Sequence, residues 1–240
     1  MTVPLLRPVT APVFEIGLKG YSWGAAALRL AREADLAAEA LGVAVVFDPQ
    51  TVDIGAVAAG TRHIHVWAQH MDPFPPGRGV GGVLAEALRD AGATGTLLSH
   101  SEKRMTLDDI AAAIIRAHEC GLGTMVFADS PEEAAELAAL GPDIVLAEPP
   151  SLIATGQAVG GRMADFVTRT VELVGAVDPS IIVMSGAGVS TADDVATVMR
   201  LGLGGTGSSS GILRSPDPVS AMWAMLEATA RAWAELHPAS

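Results

Sequence analysis

The stretch "GTMVFADSPEEAAELAALGPDIVLAEPP" at residues 123–150 decides the fold. Its apolar start at 123–127 predicts a strand, and its later run at 144–147 predicts another. Between them, Ser130-Pro131-Glu132-Glu133 forms a capping box with proline at the first helical position, which predicts a helix over 131–139. A strand, a helix and a strand in succession indicate two parallel strands joined by a crossover helix.

The same alternation runs along the whole chain. Strands are predicted at 13–19, 44–47, 65–68, 95–98, 123–127, 144–147, 181–184 and 205–210. Helices are predicted at 25–41, 51–59, 82–91, 106–120, 131–139, 163–176, 191–201 and 217–234. Eight such units in 240 residues, without a linker, predict a single-domain (β/α)8 TIM barrel over 13–240, preceded by a flexible arm at 1–12.

Composition and charge exclude several classes of protein. With 15 basic and 27 acidic residues, the formal charge of −12 argues against nucleic-acid partners and anionic membranes. No apolar run reaches the about 18 residues that a membrane span needs. The first 12 residues do not resemble a secretory signal, so we expect a cytoplasmic protein. The single cysteine, Cys120, ends a helical run and is predicted to be a packed core thiol.

Nucleotide motifs are absent from the sequence. No GxGxxG follows the first strand and no GxxxxGK[ST] occurs, so neither a dinucleotide site nor a P-loop is indicated. One cysteine cannot form a cysteine metal cluster, and no metal site is expected.

Three reactive side chains follow predicted strands, where the working residues of such barrels lie. They are Lys19, His100 and Glu148. Each has an ordinary alternative as a solvated or ion-paired group. Together they supply a cation, a neutral donor and a base, which is what proton transfer beside a carbonyl needs. That chemistry requires no metal or organic cofactor.

Two glycine-containing turns follow the last two strands, "SGAGVS" at 185–190 and "SSSG" at 208–211. Backbone N–H groups in such turns can hold a phosphate without a positive side chain. Either turn alone is better explained as a tight connection. Together, at the usual phosphate position of these barrels, they predict a phosphorylated ligand.

Five segments make the sequence resemble the triosephosphate isomerase family, in its shorter archaeal form. They are "DPQTVD" (48–53), "AQHMDP" (68–73), "GTLLSHSEKRM" (95–105), "GPDIVLAEPPSLIATG" (141–156) and "SGAGVSTADDV" (185–195). The resemblance runs over roughly residues 13–228. It implies a glycolytic and gluconeogenic isomerase that interconverts dihydroxyacetone phosphate and glyceraldehyde 3-phosphate without a cofactor.

The resemblance also implies roles for individual residues. Glu148 is the expected general base, His100 the neutral group that polarises the carbonyl, and Lys19 the cation that stabilises the enediolate. Glu102 is expected to pair with Lys19, and Ser101 to support the turn. The expected phosphate-binding residues are Gly156, Gly186, Gly188, Ser210 and Gly211, with 149–157 forming a lid whose two prolines restrict its hinge.

The sequence departs from the family around the ligand. Gly17 replaces an asparagine whose amide contacts substrate, Ser99 replaces a second asparagine, and Phe127 replaces a cysteine. Ser151 and Ala154 alter the lid. Strand eight, "GTGSSS", replaces a branched apolar run, so we expect it to pack loosely and to displace the loop at Ser210-Gly211.

These departures leave two further interpretations open. One is an isomerase for a different short sugar phosphate or polyol, with Gly17 making space. The other is a non-catalytic relative that binds a phosphorylated metabolite. The family resemblance further implies a homo-oligomer, a dimer or a tetramer, in which the loop at 72–83 reaches into a neighbour.

Overall fold

A computed structural model describes residues 8–149 and 161–238 of the chain. Eight parallel strands close into a barrel in the order β1 to β8, with β8 pairing back onto β1. The strands are β1 Val13–Gly17, β2 Ala44–Asp48, β3 His65–Ala68, β4 Gly95–Leu98, β5 Gly123–Ala128, β6 Ile144–Ala147, β7 Ile182–Met184 and β8 Gly205–Gly207. The predicted TIM barrel is confirmed.

Helices follow the strands and form the outer layer. They are α1 Gly24–Leu41, α2 Ile54–Gly60, α3 Ala85–Asp90, α4 Leu107–Glu119, α5 Pro131–Ala138, α6 Gly161–Val177, α7 Ala192–Met199, α8 Ser210–Leu213 and α9 Pro218–Leu236. A 3-10 turn at Thr51–Asp53 precedes α2. Within these described residues, no helix is both long and apolar enough to cross a membrane.

Helix starts follow the side chains that the sequence marks. Ser130 accepts a hydrogen bond from the Glu133 N–H at the start of α5. Thr106 caps α4 in the same way. Thr191 and Asp194 form a complete, reciprocal capping box at α7. These caps satisfy N–H groups that have no partner inside the helix.

The amino-terminal half of the barrel interior is filled by an apolar cluster centred on Trp67, which is fully buried. The indole on β3 lies against glycines on the next two strands. A Cβ at Gly95 would come within 2.5 Å of Trp67 Cδ2, and one at Gly123 would lie 2.9 Å from Trp67 Cζ2. Glycine at both positions therefore makes room for the largest side chain of the interior.

Strand β8 is not loosely packed, contrary to the prediction from its composition. Its three residues are buried. A Cβ at Gly205 would lie 2.5 Å from the carbonyl oxygen of Val13, and one at Gly207 would lie 2.5 Å from Glu15 Oε2. Glycine allows β8 to approach β1 closely, so the absence of side chains tightens this contact.

Cys120 follows α4 and is buried, with 8% of its surface exposed. It is a free thiol. Burial raises its pKa, which disfavours the reactive thiolate. The prediction of a packed core thiol is confirmed. The predicted flexible arm at 1–12 falls mostly on residues 1–7, outside the described part of the chain, and stays a prediction.

Candidate active site

A cavity of about 490 Å³ opens at the carboxyl ends of the strands. Its lining contains Lys19, His100 and Glu148, and also Glu102 at its rim. The barrel topology thus brings together side chains that are far apart in the sequence, because parallel strands all end at the same face.

Lys19 follows β1 in a left-handed backbone conformation, with φ of 45°. Its ammonium group donates a 2.8 Å hydrogen bond to Glu102 Oε1. Its carbonyl oxygen accepts hydrogen bonds from the side-chain amides of Gln50 and Gln69. Burial lowers the pKa of Lys19, but the hydrogen bond and charge of Glu102, with the charges of Glu148 and Glu15, outweigh it and raise the pKa. The side chain stays a fixed cation.

His100 follows β4, after a second left-handed residue, Ser99, with φ of 60°. Non-glycine residues with positive φ are strained, and such strain concentrates at functional sites. The N–H of Glu102 donates a 3.0 Å hydrogen bond to His100 Nδ1. Nδ1 is therefore an acceptor, and the ring proton of the neutral imidazole lies on Nε2. Ser101 lies in the same turn, between these two residues.

Burial lowers the pKa of His100 to about 4, and the charge of Lys19 adds to the effect. The edge of the Phe127 ring contacts the imidazole, with centroids 4.8 Å apart. Phe127, where the family has cysteine, helps to exclude water from His100. The histidine is consequently a neutral hydrogen-bond donor at neutral pH.

Arg104 holds the turn after β4 against the next strand. Its guanidinium donates hydrogen bonds of 3.0 Å to the carbonyl of Ser99 and 3.3 Å to that of Phe127. It also forms an ion pair with Asp129. These contacts tie the strained backbone at Ser99 to β5 and fix the direction of His100.

Glu148 directly follows β6, where its N–H donates a 2.9 Å hydrogen bond to the carbonyl of Ala128. Its Oε1 faces the backbone of Gly186, because a Cβ there would lie 3.1 Å from it. Burial raises the pKa of Glu148 to about 7, and the negative charge of Glu15 is the next cause. A carboxylate with this pKa is a usable base at neutral pH.

The two predicted phosphate turns meet at the cavity. Gly186, Gly188 and Ser210 line it. The Ser208 hydroxyl donates a 2.8 Å hydrogen bond to the carbonyl of Val189, which joins the turns. A Cβ at Gly211 would lie 2.7 Å from Ser190 Cα. The loop at Ser210-Gly211 is therefore held against the loop at 186–190. The prediction that β8 displaces this loop is wrong. Gly156 lies outside the described residues.

Sequence reasoning missed two carboxyls in the cavity, Glu15 and Asp48. They are 8% and 2% exposed and line the cavity floor. Burial raises the pKa of both, and that of Asp48 is raised further by the charge of Glu15 and a hydrogen bond to it. The available signal was an acidic residue inside each apolar strand, "VFEIG" and "AVVFD".

Gly17 lies beside this pair, and a side chain there would have to displace the ends of two neighbouring side chains. A Cβ there would clash with Glu15 Oε1 and would lie 2.6 Å from Ser209 Oγ. Over residues 8–149 and 161–238, no group of three histidine, cysteine or acidic side chains is placed to hold a metal ion.

The model of the family described as triosephosphate isomerase matches residues 16–222. The chain is 39% identical over 213 residues to the triosephosphate isomerase of Methanobacterium bryantii, covering 88% of this chain and 94% of that protein. It is 38% identical to that of Methanothermus fervidus, covering 88% and 96%. It is also 38% identical to that of Pyrobaculum calidifontis, covering 86% and 91%.

Proposed function

The chain belongs to the triosephosphate isomerase family, and we propose that it interconverts dihydroxyacetone phosphate and glyceraldehyde 3-phosphate. The observation that carries the proposal is the convergence of Glu148, His100 and Lys19 on one cavity beside two glycine-containing turns. This reaction is an intramolecular oxidation and reduction that proceeds by proton transfer alone. It needs no cofactor.

In the proposed mechanism, Glu148 removes a proton from the carbon beside the carbonyl and returns it to the neighbouring carbon. Its raised pKa of about 7 matches this task at neutral pH. The Nε2–H of His100 donates to the substrate oxygen. Lys19, held by Glu102, stabilises the negative charge of the enediolate. Preorganised donors of this kind lower the energy of a charge that develops during the reaction.

The phosphate is proposed to bind at the joined turns. Backbone N–H groups of Gly186, Gly188, Ser210 and Gly211 are its proposed ligands, with Gly156 from the proposed lid at 149–157. Amide donors supply no net charge, which reconciles an anionic ligand with a chain of charge −12. The lid predicted at 149–157 lies outside the described residues from 150 onward and stays a prediction.

The two other interpretations are less well supported. A different sugar phosphate or a polyol would explain the space at Gly17, but Glu15 and Ser209 fill that space. A non-catalytic binding protein would not need a neutral histidine and a base with a pKa of about 7 in the same cavity.

We also propose that the protein acts in the cytoplasm as a homo-oligomer. Trp23 and Val52 are 65% and 89% exposed, and Val80 in the loop at 72–83 is fully exposed. The hydrogen bond from Gly24 N to Asp53 Oδ2 places Trp23 close to Val52. Large apolar side chains grouped at a surface are typical of subunit interfaces. A monomeric mass in multi-angle light scattering would contradict this assignment.

The activity is tested by proton NMR of dihydroxyacetone phosphate in D2O with purified protein. We expect glyceraldehyde 3-phosphate to form with deuterium at carbon. Glu148→Gln should lower kcat by about 10²- to 10⁴-fold, since the amide cannot take the proton. Glu136→Gln on the exposed side of α5 is the matched control and should retain full activity. A folded wild-type protein that leaves the substrate unchanged would refute the proposal.

A further inference from the structure

Glu15 and Asp48 form a pair of buried carboxyls at the floor of the cavity. Glu15 lies on β1, and Asp48 ends β2, where it is paired with Gly17 in the strand register. Both are more than nine-tenths buried, and both line the same cavity as Lys19 and Glu148. Neither residue has a role in the proposed mechanism.

Two carboxylates buried side by side would repel each other, and burial raises the pKa of both groups, which favours one proton held between them. Asp48 Oδ1 is fully buried and meets no N–H or hydroxyl donor of the described residues, so a shared proton is what satisfies it. Asp48 is the protonated partner, because the charge and hydrogen bond of Glu15 both raise its pKa. Lys19 and Glu148 are the charged groups that face Glu15.

A pair with one proton presents acceptors to the cavity. The proton of Asp48 is used between the carboxyls, and the remaining carboxyl oxygens can only accept. Apart from each other and the N–H of Asp48 itself, the carboxyl groups of Glu15 and Asp48 have no hydrogen-bond donor among residues 8–149 and 161–238. Buried acceptors without a donor are costly. A ligand that brings a hydroxyl to this floor removes that cost.

Glycines hold the pair in this position. A Cβ at Gly207 would lie 2.5 Å from Glu15 Oε2 and 2.9 Å from Glu15 Cβ. Gly17 brings no side chain into the space that the Glu15 carboxyl occupies. The sequence departures at Gly17 and in β8 are therefore in contact with each other through Glu15. The two departures therefore belong to one site and are not independent losses of family residues.

We propose that the Glu15–Asp48 pair is a hydroxyl-binding subsite, which accepts a hydrogen bond from the substrate hydroxyl next to the carbonyl. The other half of the cavity has the opposite character, because the Lys19 ammonium and the His100 Nε2–H are donors. Donors on one side and acceptors on the other match the two oxygens of an α-hydroxy carbonyl compound. The identity of that compound rests on the proposed function, whereas the test below does not.

The test compares two unreactive phosphate esters, glycerol 3-phosphate and propyl phosphate, by calorimetric titration. The esters share a phosphate and a three-carbon chain and differ only in their hydroxyls. The wild-type protein should bind glycerol 3-phosphate roughly tenfold more tightly, the effect of one hydrogen bond to a charged group. Equal affinities would overturn the proposal.

Two variants separate the roles of the acceptors and of the proton. Glu15→Leu/Asp48→Leu replaces the pair by apolar groups of similar volume, and the affinity ratio should fall to about one while propyl phosphate still binds. Asp48→Asn keeps the ratio, because its amide NH2 replaces the shared proton as donor to Glu15, whose carboxylate still accepts from the ligand. A ratio that survives in the double variant, or that Asp48→Asn loses, contradicts the assignment.

A measurement on the wild-type protein covers the case in which the double variant does not fold. Difference infrared spectra should show the carbonyl stretch of a protonated carboxyl that shifts with glycerol 3-phosphate and not with propyl phosphate. Asp48→Asn should lack that band. A band that responds equally to both esters would refute the subsite. Turnover of dihydroxyacetone phosphate is measured separately, so a failed isomerase assignment leaves this result intact.

Discussion

The barrel interior is filled at two levels by the same steric device, with opposite consequences. At the amino-terminal end, Trp67 lies against Gly95 and Gly123. At the carboxyl-terminal end, Glu15 lies against Gly17 and Gly207. In the first case the space left by glycine is filled by an indole, which is largely apolar and stabilises the core. In the second it is filled with a carboxyl that costs stability and gives the cavity floor a chemical function.

The largest effect should come from closing the space around Trp67. Gly95→Ala forces the indole to move and should lower the free energy of unfolding by about 1–3 kcal/mol. Trp67→Phe in the same chain should recover most of that loss. Activity per folded molecule should be unchanged, since neither residue lines the cavity. Urea denaturation measures the first effect, and steady-state kinetics the second.

The matched control for this comparison is Gly175→Ala. Gly175 lies in α6 with nothing within 4 Å of a Cβ at that position. The added methyl group should stabilise the helix by roughly 0.5–1 kcal/mol. If Gly95→Ala proved as benign as Gly175→Ala, the fit of glycine and indole would not matter to the core.

At the carboxyl-terminal level of the barrel, we expect a substitution to have a smaller effect on stability and to be stabilising. The folded state holds on Asp48 a proton that the unfolded chain releases above about pH 4. The raised pKa of Asp48 therefore makes stability fall as pH rises through that pKa. Asp48→Asn removes this dependence. At pH 8 its midpoint temperature should exceed that of wild type by roughly 2–4 °C, the effect of about 1 kcal/mol in a chain of this size.

Scanning calorimetry at several pH values measures this difference. The two proteins should converge below about pH 4, where aspartic acid is protonated in the folded and unfolded states alike. If the midpoint temperature of Asp48→Asn exceeded that of wild type by the same amount at every pH, Asp48 would not be protonated in the folded state.

The smallest effect should be on the pH profile of kcat/KM. In the wild type the rate should rise with pH through about 7 as Glu148 loses its proton, while His100 stays neutral. Glu15→Gln/Asp48→Asn removes one negative charge that faces Glu148. The midpoint should then move to lower pH, although burial, Lys19, Asp129 and Glu102 continue to act on Glu148. An unmoved midpoint would show that the pair does not influence the base.

Strands β1 to β7 are predictable because each is a short, largely apolar run between turn residues. The bounds of β3, β4 and β6 agree with the prediction. The last strand was extended too far, to 210, because the serines after Gly207 resemble a strand edge. They instead enter the four-residue helix α8, which is too short to show a helical period.

The rim of the cavity was also accessible from sequence, whereas its floor was not. Lys19, Glu102, His100 and Glu148 lie in motifs where strand ends mark their position. Glu15 and Asp48 are 33 positions apart and meet only through the register of β1 and β2. Their contact depends on Gly207, which comes from the last strand. Considered alone, the sequence of β8 suggests a glycine-rich defect, whereas in the fold its glycines pack closely against β1.

The clash at Gly17 has a consequence for how this site can change by mutation. Any side chain introduced at that position meets both the Glu15 carboxyl and the Ser209 hydroxyl. A single substitution to asparagine therefore requires the Glu15 carboxyl and the Ser209 hydroxyl to move, and a smaller residue at 15 removes the first of these two conflicts. The two positions form an epistatic unit. Laboratory evolution that starts from this chain should recover them as a pair or leave both untouched.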